Sequence, residues 1–185
     1  LSENALTMTL EELEEVRGAF RSSLPLISML MTMRFEPSYR KMREVIRAGE
    51  IGKVCLANAQ KSYKLGQRPS WQQDHRTYSS TIPFIGIHSI DLIRWCGGME
   101  FNEVMAYQSN VGHPQVREME DNAVVLLKMN NGGSACVHLD YCRPMNAPTW
   151  GDDLLRIAGN SGVIETFEQG SRVRLIAGKG GGSEE

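Results

Sequence analysis

The chain has 185 residues, a formal net charge of −2 and 41% hydrophobic residues, which suits one domain, or one domain with a piece of another, around a sizeable core. So small a charge gives no electrostatic case for nucleic acid or an anionic membrane. No apolar run approaches the roughly 20 residues of a membrane span, and the opening Leu1-Ser2-Glu3-Asn4 lacks the basic start of a signal peptide.

The chain does not begin with methionine, which points to a fragment or to a start lost in processing. Thr9-Leu10-Glu11-Glu12 reads as a capping box. It opens a helix from Leu10 to about Arg21, closed by Leu24-Pro25. Leu26 to Met33 reads as a short, fully apolar buried strand. A helix followed by such a strand is the last half of a βαβ unit. No earlier βα unit is present, so residues 1–33 are expected to be the tail of a domain whose body is missing. Pro37 starts a helix to about Ala48, with Tyr39, Met42, Val45 and Ile46 as its apolar stripe. Val54 to Tyr63 is a predicted strand.

Gly66 to Ser80 is a polar loop carrying Trp71, Asp74, His75, Arg76 and Tyr78. Indole, guanidinium and phenol are what a polyhydroxylated ligand needs, and an ordinary surface loop carries them equally well. The stretch from Ile82 to Gly98 then reads as one apolar helix. Pro83 sits in its first turn and Gly97-Gly98 stops it. His88 and Asp91 share one face, three residues apart. An imidazole near the start of so apolar a helix is either a positioned acid/base group or half of a structural His–Asp pair.

The remainder is predicted as strand. Phe101 to Ser109, Asp121 to Met129, Ser134 to Cys142, Leu154 to Ala158, Gly162 to Phe167 and Arg172 to Ile176 are separated by turns such as Asn130-Asn131-Gly132-Gly133. The fold class is α+β: an open, mainly antiparallel sheet with helices on one face. In the strand 134–142, Ala135, Val137, Leu139 and Tyr141 should face the helices. Cys136, His138, Asp140 and Cys142 face the other way, and that weakly polar face is expected to meet a partner subunit.

Residues two apart on a strand are separated by ~6.6 Å, so those four cannot close one tetrahedron and no metal is expected. The four cysteines form no CxxC pair. With ten methionines, they suit a reducing cytoplasm. GxGxxG, P-loop and nucleophile-elbow patterns are absent.

Taken in order, Arg34-Phe35-Glu36-Pro37, then Ile46-Arg47-Ala48-Gly49-Glu50-Ile51-Gly52-Lys53-Val54, then Gly86-Ile87-His88-Ser89-Ile90-Asp91 with Trp95 and Gly98, and finally Leu155-Arg156-Ile157-Ala158-Gly159 with Gly162, resemble the Gfo/Idh/MocA oxidoreductases over nearly the whole chain. The resemblance implies a remnant of an N-terminal Rossmann domain at 1–33, a C-terminal substrate and oligomerisation domain at 34–178 and a flexible tail at 179–185. It implies NAD or NADP, bound mainly by the absent domain, no metal, and hydride transfer from a sugar, polyol or cyclitol-like alcohol.

His88 matches the family's catalytic histidine. The aspartate common four residues earlier is replaced by Phe84, and Asp91 matches a separate aspartate. Trp71, Arg76, Asp91 and Tyr141 are expected around the substrate, and Arg34 either approaches the nicotinamide or anchors the domain crossing. The family's catalytic lysine lies in a Glu-Lys-Pro motif that this chain lacks, so the chain alone should be inactive. A homodimer or higher homo-oligomer through the open sheet face is expected, with no nucleic acid or membrane partner. The alternative, suggested by Phe84, is a non-catalytic dinucleotide-sensing or protein-interaction member of the same fold.

Overall fold

The computed structural model describes residues 2, 5–21, 27–116, 118–178 and 183–184. Thr9 caps α1 (Leu10–Ala19) as its motif predicts. The hydroxyl accepts from the Glu12 N–H at 3.1 Å, and the Glu12 carboxylate accepts from the Thr9 N–H at 3.3 Å. None of the residues of α1 is buried.

The strand expected over Leu26–Met33 is corrected. Residues 22–26 lie outside the described residues. The rest shrinks to a single parallel bridge between Met29 and Ser2, and from Thr32 to Phe35 the chain turns as a 3₁₀ helix. A strand needs a neighbour along its length, and among the described residues only Ser2 pairs here: its N–H donates to Ser28 O at 2.9 Å and its carbonyl accepts from Leu30 at 2.8 Å. Parallel pairing on either side of an intervening helix is the sense of a βαβ crossover.

Pro37 opens α2 (Pro37–Arg47) where its missing N–H costs no hydrogen bond. Tyr39, Met42 and Val45 are buried, with Ile46 packed beside them. The sheet contains β1 (Val54–Lys64), β2 (Phe101–Ser109), β3 (Asn122–Met129), β4 (Ser134–Arg143), β5 (Gly151–Gly159), β6 (Gly162–Phe167), β7 (Arg172–Ala177) and β8 (Ser183–Glu184). Their spatial order is β2-β3-β4-β1-β5-β6-β7-β8. Neighbours pair antiparallel, except β1 and β4, which run parallel at the centre. Ser183 and Glu184 pair with β7; the rest of the expected tail, 179–182 and 185, lies outside the described residues.

The fold is therefore the α+β class expected. Ala135, Val137, Leu139 and Tyr141 of β4 are each at most 2% exposed and face the helices. They meet Leu92 and Ile93 of α4 (Ile87–Gly97), which lies across β1, β4 and β5, while α2 lies against β6 and β7. The opposite face leaves Leu56, Met105, Tyr107, Val124 and Leu126 exposed. No helix among the described residues is long and apolar enough to cross a membrane.

Gly98 ends α4 in the left-handed region, at φ +65°, and a Cβ there would meet nothing within 4 Å. The cost of Gly98→Ala is thus purely conformational. A denaturant melt should show a loss of about 1–2 kcal/mol; an unchanged melt would mean that the cap relaxes to another conformation.

Candidate active site

The loop predicted over 66–80 folds into a 3₁₀ turn, Ser70–Gln73, and a single helical turn, α3 (His75–Tyr78), capped by the Asp74 carboxylate. The predicted helix then opens on a π-helical turn, Ile82–Gly86, before α4 begins. Such turns recur at functional sites. Gly86 lets this one lie directly on the sheet, because a Cβ there would sit 2.7 Å from Leu139 Cδ1. His88 follows in the next turn, as the second residue of α4.

Beneath His88 lies a cavity of about 310 Å³, within the range of small-ligand sites. Phe84, Ile85 and His88 form one wall, and Thr32, Met33 and Glu36 of the junction form another. Lys61 and Tyr63 of β1 with Asp153 of β5 form the polar floor. Lys61 and Asp153 are directly opposite each other across the two strands. The Lys61 ammonium, 5% exposed, donates to Asp153 Oδ2 at 2.6 Å. The Tyr63 hydroxyl donates to the same oxygen at 2.8 Å. Burial, reinforced by the charge of Asp153, pushes the Tyr63 phenol far above its ordinary value and keeps it a donor.

Asp153 Oδ1 is buried and has no hydrogen-bond partner among the described residues. A buried carboxylate oxygen without a donor is costly, and a ligand hydroxyl entering this cavity would satisfy it. Gly151 makes room for the arrangement, since a Cβ there would lie 2.6 Å from the Tyr63 ring.

Glu36, on the junction side, has its carboxyl held above the ordinary range, first by burial and then by Asp153, with Lys61 pulling the other way. A raised folded-state value contributes stability that is present below the unfolded value and lost as pH rises through the folded one. Melts of Glu36→Gln and wild type should therefore coincide where the carboxyl is protonated and separate toward neutral pH, with the variant more stable. Coincidence at neutral pH would show a fully solvated Glu36.

The other predicted site residues are dispersed. Arg34 and Asp91 pair with each other: Arg34 Nε donates to Asp91 Oδ2 at 2.7 Å and Nη2 donates to Oδ1. This fork ties the junction turn to α4, so Asp91 serves Arg34 through both oxygens, and Arg34 remains 37% exposed. Trp71 stands behind the cavity wall, its ring edge-on to Phe84 at 5.7 Å, and Tyr78 packs on Phe84 at 5.0 Å. Arg76 is fully out in solvent, forked onto Asp74, and holds that carboxyl down at about 2. Tyr141 is buried beneath the Arg68 guanidinium at 4.2 Å, its hydroxyl 3.3 Å from that of Tyr78. Of the six, His88 lines the cavity and Trp71 supports its wall. Glu36, Lys61, Tyr63 and Asp153 line it without having been singled out in the sequence.

Residues 39–165 match the model of the GFO/IDH/MocA C-terminal domain. Inositol 2-dehydrogenase 2 of Saccharopolyspora erythraea is 29% identical over 136 residues, which are 71% of this chain and 38% of that protein. A solved structure from Thermotoga maritima superposes with a TM-score of 0.93 at 34% identity, over 99% of this chain and 56% of that one. An inositol dehydrogenase homolog from Azotobacter vinelandii, solved with NAD+, shares the fold with a TM-score of 0.85 at 18% identity, over 99% of this chain and 49% of that one. The chain spans 38–40% of the length of the curated relatives it matches.

Proposed function

The chain belongs to the GFO/IDH/MocA family, and on that premise we propose that it is the substrate-binding and oligomerisation domain of an NAD(P)-dependent oxidoreductase acting on a sugar, polyol or cyclitol-like alcohol. One observation carries this reading. The cavity sets His88 opposite a half-buried Lys61–Asp153–Tyr63 cluster whose buried Asp153 Oδ1 is left for a ligand donor. An alcohol bearing several hydroxyls answers both sides of that cavity at once.

The roles follow from the chemistry of each group. His88 takes the proton of the reacting hydroxyl as the carbon loses hydride. A nicotinamide dinucleotide, held mainly by a second domain, would supply the hydride-accepting chemistry when bound. Asp153 Oδ1 accepts from a neighbouring hydroxyl, and Lys61 balances the charge that makes Asp153 an acceptor. Phe84, backed by Trp71 and Tyr78, offers an apolar wall to the C–H face of a sugar ring. At the junction, Arg34 is fixed by Asp91 with its side chain 37% exposed, a cation that we place toward the dinucleotide.

The parallel Ser2–Met29 bridge flanking α1 supports reading residues 1–33 as the end of that second domain, with the substrate domain at 34–178. The exposed Met105, Tyr107, Val124 and Leu126 support self-association through the open sheet face. Light scattering should report a homodimer or larger assembly, and Tyr107→Lys should dissociate it. A concentration-independent monomer would remove the proposed interface.

The test of function is nicotinamide absorbance in the full-length protein, with NAD and NADP in turn, over a panel of sugars and cyclitols. Turnover of a polyol supports the oxidoreductase reading. Dinucleotide binding with no turnover across the panel would favour a sensor instead, as the apolar Phe84 allows.

A further inference from the structure

We infer that His113, Asp121 and Cys142 form a zinc-binding site at the far end of the sheet from α4's C-terminus, separate from the cavity under His88. Their ligand atoms lie within 4.8 Å of one another, the one such convergence of three metal-capable side chains among the described residues. His113 Nδ1 is 3.1 Å from Asp121 Oδ2. Asp121 is 1% exposed, and its other oxygen, Oδ1, accepts from Asn122 Nδ2 at 2.6 Å, which fixes the carboxylate plane.

The backbone holds two of the ligands independently. Asp121 N–H donates to Ser109 O at 3.0 Å, and Asp121 O accepts from the Tyr141 N–H at 2.8 Å, so the end of β4 that carries Cys142 is locked beside Asp121.

Two further features favour a metal over a bare His–Asp hydrogen bond. A Cβ on Gly112 would sit 2.7 Å from Asp121 Oδ2 and 3.5 Å from Cys142 Sγ, so the missing side chain keeps clear the space these two ligand atoms share. An open cavity of about 470 Å³, lined by His113 and Cys142 with Gly66 and Arg143, gives access from solvent.

The ligand set is one nitrogen, one oxygen and one sulfur with an open fourth position, the pattern of zinc with a coordinated water. Carboxylate, thiolate, neutral imidazole and Zn2+ sum to zero charge, which suits a half-buried place. On binding, the Cys142 thiol gives its proton to solvent and the thiolate joins the metal.

The strand-bound set weighed in the sequence, Cys136, His138, Asp140 and Cys142, is a different one. Only Cys142 is shared. Cys136 Sγ and His138 Nε2, 3.2 Å apart on the open sheet face, make a natural control.

The experiment titrates the untagged full chain with Zn2+ against a chromophoric chelator, and with Co2+ as a spectroscopic probe. One Zn2+ per chain is expected, with a tetrahedral Co2+ spectrum carrying a thiolate charge-transfer band. Cys142→Ser should abolish the band, His113→Ala and Gly112→Ala should abolish stoichiometric uptake, and Asn122→Ala should weaken binding by roughly 10- to 100-fold. Cys136→Ser should change nothing. Circular dichroism confirms that each variant stays folded. Absence of stoichiometric uptake by the wild type would overturn the site and leave His113–Asp121 as a plain ion pair. Uptake lost in Cys136→Ser, or retained in folded Cys142→Ser and His113→Ala, would overturn it equally.

Discussion

Replacing His88 with alanine in the full-length protein should lower kcat by roughly 10²–10⁴-fold, the usual worth of a positioned general base. His88 lines the cavity on a helix whose core residues Leu92, Ile93 and Cys96 are almost fully buried, so the helix is anchored by packing that the substitution does not touch. The loss should therefore appear in kcat at an unchanged melting temperature. A variant that keeps full turnover would remove His88 from the mechanism. A variant that loses both activity and melting temperature would make the histidine a structural element of α4.

Asp153→Leu should destabilise the protein by about 3–5 kcal/mol, because it leaves the Lys61 ammonium buried beside a leucine. Lys61 is 5% exposed on the helix-facing side of β1, where Met33 Sδ at 3.3 Å is its other neighbour. The double variant Lys61→Met with Asp153→Leu removes both charges, and replacing a buried pair by apolar groups is often neutral or stabilising. Chemical denaturation should thus show a deep loss for the single variant and recovery for the double. Activity should not follow stability: the double variant folds but has lost the oxygen that receives a substrate hydroxyl. A double variant with normal KM and kcat would make the pair a structural relic of the core. A single variant with wild-type stability would mean that water reaches Lys61 and screens it.

The contrast between what was and was not legible in the sequence has physical causes. Strands with strict alternation, such as 134–142, announce both faces, and the apolar stripe of α2 announces its packing. The centre of the sheet was harder to read. Hairpins predict antiparallel neighbours, while the parallel pairing of β1 and β4 depends on a crossover through α4 that no local pattern encodes.

Residues 27–33 read as strand because they are apolar, and among the described residues only Ser2 pairs with them. The Lys61–Asp153 pair had a half-visible signal. Ala57, Ala59, Lys61 and Tyr63 occupy alternate positions of β1, so a lysine closing an apolar face could have been noticed. Its partner could not, since β5 was expected to begin at Leu154 and Asp153 fell outside it. Register decides which charges meet across a sheet, and register is a tertiary property.

The resemblance to the family drew attention to Phe84 as a lost aspartate. The fold shows what lies across the cavity from it, an aspartate and a lysine on the sheet floor. Arg34 and Asp91 illustrate the opposite case. Each was singled out separately, and the structure joins them into one fork that fastens the junction to α4.

The most direct measurement is a crystal structure of the full-length protein with oxidised dinucleotide and the polyol that the activity panel selects. The account predicts the polyol in the cavity between α4 and the sheet, its reacting hydroxyl on the His88 imidazole and a neighbouring hydroxyl on Asp153 Oδ1. A polyol bound elsewhere, with water alone between His88 and Asp153, would contradict it.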